Sequence, residues 1–135
     1  MAIPTNASAG SSALLLDTHT LVWFGVGSRR LSRAARAAIE APDNPLHVSA
    51  ITAWEYADLE ARGRFADSAP LGKLRDLLKF EIVDFGGDLW TVAARLPAIH
   101  RDPVDRMLIA HAISLEMTLV TADKTIRRYP VETLW

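Results

Sequence analysis

Residues 101–123, "RDPVDRMLIAHAISLEMTLVTAD", decide the fold. Asp102 is placed to cap a helix, and Pro103 sits at its first turn, where a missing N–H costs little. Leu108, Ile109 and Ala112 then recur at helical spacing, which predicts a helix over 103–116. Directly after it, "TLVTAD" (118–123) is a short apolar run with the composition of a buried strand. One residue is out of place. Asp105 has Leu108 and Ile109 one turn on and Ala112 two turns on, so a carboxylate begins the apolar stripe.

The same alternation runs through the rest of the chain. "ALLLD" (13–17) reads as a buried strand and "THTLVWF" as the start of a helix. "LSRAARAAIEA" (31–41) is a helix capped by Ser32 and broken by "APDNP" (41–45). "LHVSA" (46–50) is a second strand, and "ITAWEYADLEARG" (51–63) a helix stopped at Gly63. "LGKLRDLLK" (71–79) has helical period, "FEIVDF" (80–85) is strand-like, and a helix over 88–96 halts at Pro97. After 118–123 come a short helical turn, "KTIRRY", and a last strand, "VETLW" (131–135). This order predicts an α/β protein, a sandwich of helices around a mostly parallel central sheet of four to five strands. Residues 1–12 read as a flexible N-terminal extension, and 13–135 as a single domain long enough to bury a core.

Composition narrows the chemistry. There is no cysteine, which removes disulfides, thiolate metal sites and Cys nucleophiles. No apolar run approaches the roughly 18 residues that span a bilayer, and "MAIPTNASAGSS" lacks a basic signal region. The expectation is a cytoplasmic protein with no membrane role. The formal net charge is -1, so no global basic field draws nucleic acid. Of the 15 basic residues 12 are Arg, the side chain suited to bidentate phosphate contact, so such binding must be local. Phosphate-binding glycine loops and GxSxG are absent. The four histidines, His19, His47, His100 and His111, show no metal-site spacing and read as structural or surface residues.

Four of the 16 carboxylates stand apart. In open α/β sheets, ligands bind beyond the carboxyl ends of the strands, and Asp17 and Asp123 end two predicted strands. Asp58 and Glu60 have Arg62 and Arg64 four residues on, as in solvated helix-surface pairs. Glu55 instead has Ile51 four before it and Leu59 four after, so it shares the anomaly of Asp105. A bare carboxylate facing a core costs several kcal/mol; facing a cleft or a cation, it does not. Each acid also has an ordinary role open to it. Asp17 and Asp123 are placed to cap the turns that follow them, Asp105 to join a capping box with Asp102, and Glu55 to reach solvent past Trp54. Together they form an oxygen-only set, which suits Mg²⁺ or Mn²⁺ rather than zinc.

These residues resemble a known family. "LLLDTHTLVWF", "VSAITAWEYADLEARGR" and "RDPVDRMLIAHAISLEMTLVTADKTIRRYPVETLW" are similar to PIN-domain proteins of the VapC toxin type, over nearly the whole chain from Leu14 to Trp135. The resemblance implies a PIN-like α/β/α sandwich and a Mg²⁺- or Mn²⁺-dependent endoribonuclease, the toxin of a toxin–antitoxin pair. Motif by motif, its acidic quartet falls on Asp17, Glu55, Asp105 and Asp123, which would hold the metal and carry catalysis. Thr121 matches a supporting hydroxyl, and Arg106 a position that orients a carboxylate or meets phosphate. The implied reaction is hydrolysis of RNA by metal-activated water, leaving a 5′-phosphate and a 3′-hydroxyl. The implied partners are RNA, a cognate antitoxin whose tail enters the acidic groove, and a second copy of the chain or a toxin–antitoxin hetero-oligomer; Trp23 and Trp54 are candidates for that interface. One position departs from the pattern: relatives often carry Lys four residues after the glutamate of the WE pair, where this chain has Leu59. That leaves open a non-catalytic PIN-fold module that binds RNA or protein. A receiver-like phosphoacceptor domain is the other alternative, but it needs two adjacent early acids where only Asp17 follows "LLL".

Overall fold

A computed structural model describes residues 13–65 and 67–135; the expected extension over 1–12 lies outside them. Five short strands form one sheet: β1 (Leu14–Leu16), β2 (Leu46–Ser49), β3 (Glu81–Val83), β4 (Thr118–Val120) and β5 (Thr133–Leu134). Their order is β3-β2-β1-β4-β5, and every neighbouring pair is parallel. Among the described residues six helices accompany them: α1 (Thr18–Val26), α2 (Arg33–Glu40), α3 (Ala50–Ala61), α4 (Leu71–Leu78), α5 (Leu89–Arg95) and α6 (Pro103–Leu115). "TLVTAD" is strand only as far as Val120, although the Thr121 N–H still donates to the Leu134 carbonyl at 3.3 Å. "KTIRRY" closes into a 3-10 turn, Ile126–Arg128.

The caps fall where the side chains dictate. Ser32 Oγ accepts from Ala35 N–H at the start of α2, and Asp102 Oδ1 from Val104 N–H at 2.9 Å at the start of α6. Asp58 and Arg62 pair at 3.1 Å. Helix α3 stops at Ala61, and Gly63, at φ 74, turns the chain before Arg64 reaches the next helical turn. Helices α4 and α6 end on Lys79 and Glu116 in the left-handed region, at φ 58 and 55, without a glycine to relieve it.

The period of two in the strands divides the core between two layers. Leu14 and Leu16 pack with Leu21, Ala35, Ile39, Val48, Tyr56 and Leu74 against α1 to α4. Leu15 and Leu119 face the other way, onto Leu108, Ile109 and Ala112 of α6, with Ile126 and Tyr129. β1 is buried throughout, as a central parallel strand must be. In the first layer the fully buried Tyr56 donates its hydroxyl to the Ala69 carbonyl at 2.6 Å and sits 2.6 Å from Ser68 Oγ. Tyr56→Phe is therefore expected to cost about 1–2 kcal/mol in urea unfolding, because the Ala69 carbonyl loses its donor without a cavity being made.

The strand order fixes where a ligand binds. The chain leaves β1 toward β2 and β3 on one side, while β4 and β5 lie on the other. The connections thus diverge between β1 and β4, and a crevice opens beyond their carboxyl ends. Asp17 follows β1, and Thr121 to Asp123 follow β4.

Candidate active site at the switch point

Asp17, Glu55, Asp105 and Asp123 line one open cleft of about 350 Å³, together with Thr18, His19, Trp23, Arg30, Asp102 and Ala122. Four separate segments deliver the acids: the end of β1, the first half of α3, the first turn of α6 and the loop after β4. Leu16 and Val120 are register partners in the sheet, so the residues that follow them emerge side by side.

The ordinary roles weighed for two of these acids are real. Asp17 Oδ1 accepts from Thr20 N–H at 2.9 Å and caps α1, while Asp123 Oδ1 accepts from Thr125 N–H at 2.8 Å. Each cap engages Oδ1, and the carboxylate still borders the cleft. Glu55 accepts a hydrogen bond from the Thr18 hydroxyl, which fixes it across from Asp17. Thr121, fully buried, supports the loop from below: its hydroxyl accepts from Asp123 N–H at 3.1 Å and also hydrogen-bonds Asp17.

The electrostatics are those of crowded acids. Asp17 keeps part of its surface exposed, but its carboxyl is enclosed; desolvation raises its pKa against the hydrogen bonds from Thr121 and Thr20. Asp105 is pushed up to about 7, first by desolvation and then by the negative charge of Asp102, with Glu55 and Asp123 adding to it. Asp123 goes the other way. Desolvation acts to raise it, but the hydrogen bond from His100 and those from the Thr125 and Ile126 N–H groups outweigh that and lower it.

His100 is the participant that spacing did not reveal. Its Nε2 lies 2.9 Å from Asp123 Oδ2 and 3.0 Å from Asp105 Oδ2, bridging the two carboxylates. Its Nδ1 lies 3.1 Å from the Asp102 N–H, which can only donate, so Nδ1 accepts and Nε2 carries the proton. The sequence held no signal for this, because His100 precedes the α6 cap in a segment without period and its partners come from α6 and the β4 loop. The reading of His111 as structural agrees with its position: it is buried, with Nδ1 2.8 Å from Ser49 Oγ. His19, expected at the surface or in a structural role, is exposed but lines the cleft.

Arg106 is a correction. Although it follows Asp105, its guanidinium donates to the carbonyls of Pro97 and Ala93 at 2.8 Å and of Leu96 at 3.2 Å, and it is not among the cleft residues. One residue of helix rotates the side chain by about 100°, which carries it off the face that holds Asp105. Among the described residues Arg106 pairs with no carboxylate, and its guanidinium holds the end of α5. Arg29, Arg30, Arg101, Lys124, Arg127 and Arg128 flank the predicted mouth in sequence and are candidate phosphate contacts; among the described residues Arg30 alone of them lines the cleft.

A family model described as PIN domain matches residues 14–132. Ribonuclease VapC22 of Mycobacterium tuberculosis (strain ATCC 25618 / H37Rv) is 35% identical over 121 residues, which cover 87% of this chain and 92% of that protein. Among solved structures, VapBC2 from Rickettsia felis bound to a DNA fragment from its promoter aligns with a TM-score of 0.68 at 22% identity, covering 91% of this chain and 98% of that one. M. tuberculosis VapC20, described as a Sarcin-Ricin loop cleaving toxin, aligns at 0.63 and 16% identity over 85% of this chain and 93% of its own. A toxin–antitoxin complex from Klebsiella pneumoniae aligns at 0.64 and 22%, over 90% and 96%.

Proposed function

This chain belongs to the PIN domain family, in its VapC branch, and from that premise we propose that it is a Mg²⁺- or Mn²⁺-dependent endoribonuclease acting as the toxin of a toxin–antitoxin pair. The observation that carries the reading is the convergence of Asp17, Glu55, Asp105 and Asp123 on one cleft at the sheet's switch point. The name of the 35% identical relative, a ribonuclease VapC, supports the activity.

The residues fit a hard divalent cation. The acids supply only oxygen donors, and Asp105 stands among the negative charges of Asp102, Glu55 and Asp123, which together with desolvation raise its pKa and favour a bound cation. Asp17, Asp105 and Asp123 would hold the metal, with Glu55 completing the set. When bound, such an ion supplies Lewis-acid polarisation of a phosphoryl oxygen and makes water a nucleophile near neutral pH. The chain's own residues do the rest. Thr18 fixes Glu55, Thr121 fixes the Asp17 carboxyl and the Asp123 backbone N–H, and the His100 Nε2 proton keeps Asp105 and Asp123 a few ångströms apart. The expected products are a 5′-phosphate and a 3′-hydroxyl.

Partners follow the same reading. The structural relatives described as toxin–antitoxin complexes support a cognate antitoxin, and Trp54, 61% exposed on α3 beside Glu55, supports a protein-covered face near the cleft. No helix among the described residues is long and apolar enough to cross a membrane.

The direct test is cleavage of RNA by the purified chain with Mg²⁺ or Mn²⁺, and its loss on chelation. Cleavage that persists in EDTA would refute the metal-dependent mechanism. Binding is checked without catalysis: millimolar Mn²⁺ is expected to raise Tm by mass action, by the equivalent of about 2.7 kcal/mol at a hundredfold excess over Kd. Asp17→Asn should abolish that rise.

A further inference from the structure

We propose that His19, Trp23 and Arg30 form a docking rim for an unpaired nucleotide of the substrate, its base on the Trp23 ring and its phosphate on Arg30. This rests on the ribonuclease reading above and assigns the residues that hold the strand beside the acids.

The difficulty that the rim resolves is electrostatic. A cleft lined by Asp17, Glu55, Asp102, Asp105 and Asp123 repels a polyanion, the more so where the carboxylates are shielded from water. Something beside the acids must hold the strand. Arg30 lines the same cleft, is exposed, and has no carboxylate within ion-pair distance among the described residues. Its guanidinium carbon instead lies over the Trp23 ring, 6.0 Å from the centre, a loose contact from which it can swing to a phosphate when a base takes that face.

Trp23 is built as a platform. It stands one helical turn beyond His19 on α1, with ring centres 5.6 Å apart, and leans on Trp135 at 5.7 Å and 60°. Packing on the core immobilises the indole, yet the residue stays partly exposed and borders the cleft. A fixed aromatic face next to an unneutralised guanidinium meets both halves of a nucleotide, the base by stacking and the phosphate by charge. Paired RNA keeps its base faces inside the helix and presents nothing to such a platform. The selection is therefore for unpaired RNA, with little preference among bases, because every base has a π-face.

The test uses the full chain carrying Asp105→Asn, so that RNA is not cut, with a single-stranded RNA oligonucleotide in EDTA and binding read by anisotropy. Arg30→Ala is expected to weaken binding about tenfold and to reduce the slope of log Kd against log salt by about 0.7. Trp23→Leu, which keeps apolar bulk without a ring, should weaken binding about tenfold with the slope unchanged. Trp23→Phe should restore most of that loss, while the tryptophan fluorescence quench seen on RNA binding disappears. The duplex form of the same RNA should bind at least tenfold more weakly. In the cleaving protein with Mn²⁺, both losses should appear in KM rather than kcat. Parent-like binding by Arg30→Ala and Trp23→Leu, or equal binding of duplex, would overturn the rim while leaving metal-dependent cleavage intact. No RNA binding and no cleavage by the unmutated chain would overturn the rim and the ribonuclease reading together.

Discussion

Asp105→Asn is expected to abolish RNA cleavage and, in the same protein without metal, to raise stability at pH 8. The two effects have one cause. An amide keeps the size of the side chain but removes the anionic oxygen offered to a cation, and Lewis-acid stabilisation worth several kcal/mol corresponds to a loss of about 10³-fold or more in rate. In the metal-free fold the same carboxylate is a burden, for its pKa is raised to about 7 from the usual 3.8, with only a quarter of its side chain exposed. A raised folded pKa means that stability is full below about 3.8 and is lost as pH climbs through 7. The loss amounts to at most about 4 kcal/mol, so Asp105→Asn should melt about 5–10 °C higher at pH 8 and about level with the parent near pH 4. His111 titrates in the opposite sense, since burial lowers its pKa and its contribution is present above 6.5 and lost on acidification. The comparison of variant with parent at each pH cancels it. Saturating Mn²⁺ should reverse the order of the two melting temperatures. Equal melting at pH 8 without metal would show that Asp105 is not desolvated by its neighbours.

That reversal bears on what a sequence can disclose. Glu55 and Asp105 were legible because each breaks an apolar period, and Asp17 and Asp123 because they end apolar runs; all four depend on spacing within one element. The parallel sheet was legible for the same reason. What escaped depends on contacts between elements. His100 meets Asp105 across five residues and Asp123 across twenty-three, from a segment before the α6 cap that carries no period of its own. The apolar run "TLVTAD" is also longer than its strand, which ends at Val120 where the following residues turn to the site. Arg106 shows the converse error: adjacency in a motif suggested shared chemistry, and helical rotation separated the two side chains.

Arg106→Ala is accordingly expected to fail by unfolding more readily, not by losing its grip on RNA. The guanidinium closes the carboxyl end of α5 by donating to Ala93, Leu96 and Pro97 carbonyls, and reaches Tyr129 Oη at 3.4 Å. That hydroxyl in turn donates to the Pro97 carbonyl at 2.9 Å and accepts from the Ile99 and His100 N–H groups at 3.1 and 2.6 Å. Arg106 and Tyr129 thus shape the segment that brings His100 to the acids. Charge-assisted bonds of this kind contribute about 1.5–3 kcal/mol in net terms, so Arg106→Ala should lower Tm by about 5–10 °C. Arg106→Lys should recover only part of this, because one ammonium cannot span the carbonyls that a planar fork reaches. Tyr129→Phe should cost a comparable amount, and the double variant less than the sum, since each change frees the same loop. A phosphate-binding arginine would behave otherwise: Tm would hold, KM would rise, and the salt dependence of RNA binding would flatten as it does for a lost phosphate contact. Observing that second pattern would return Arg106 to the substrate side of the cleft and remove the reason for His100 to be held where it is.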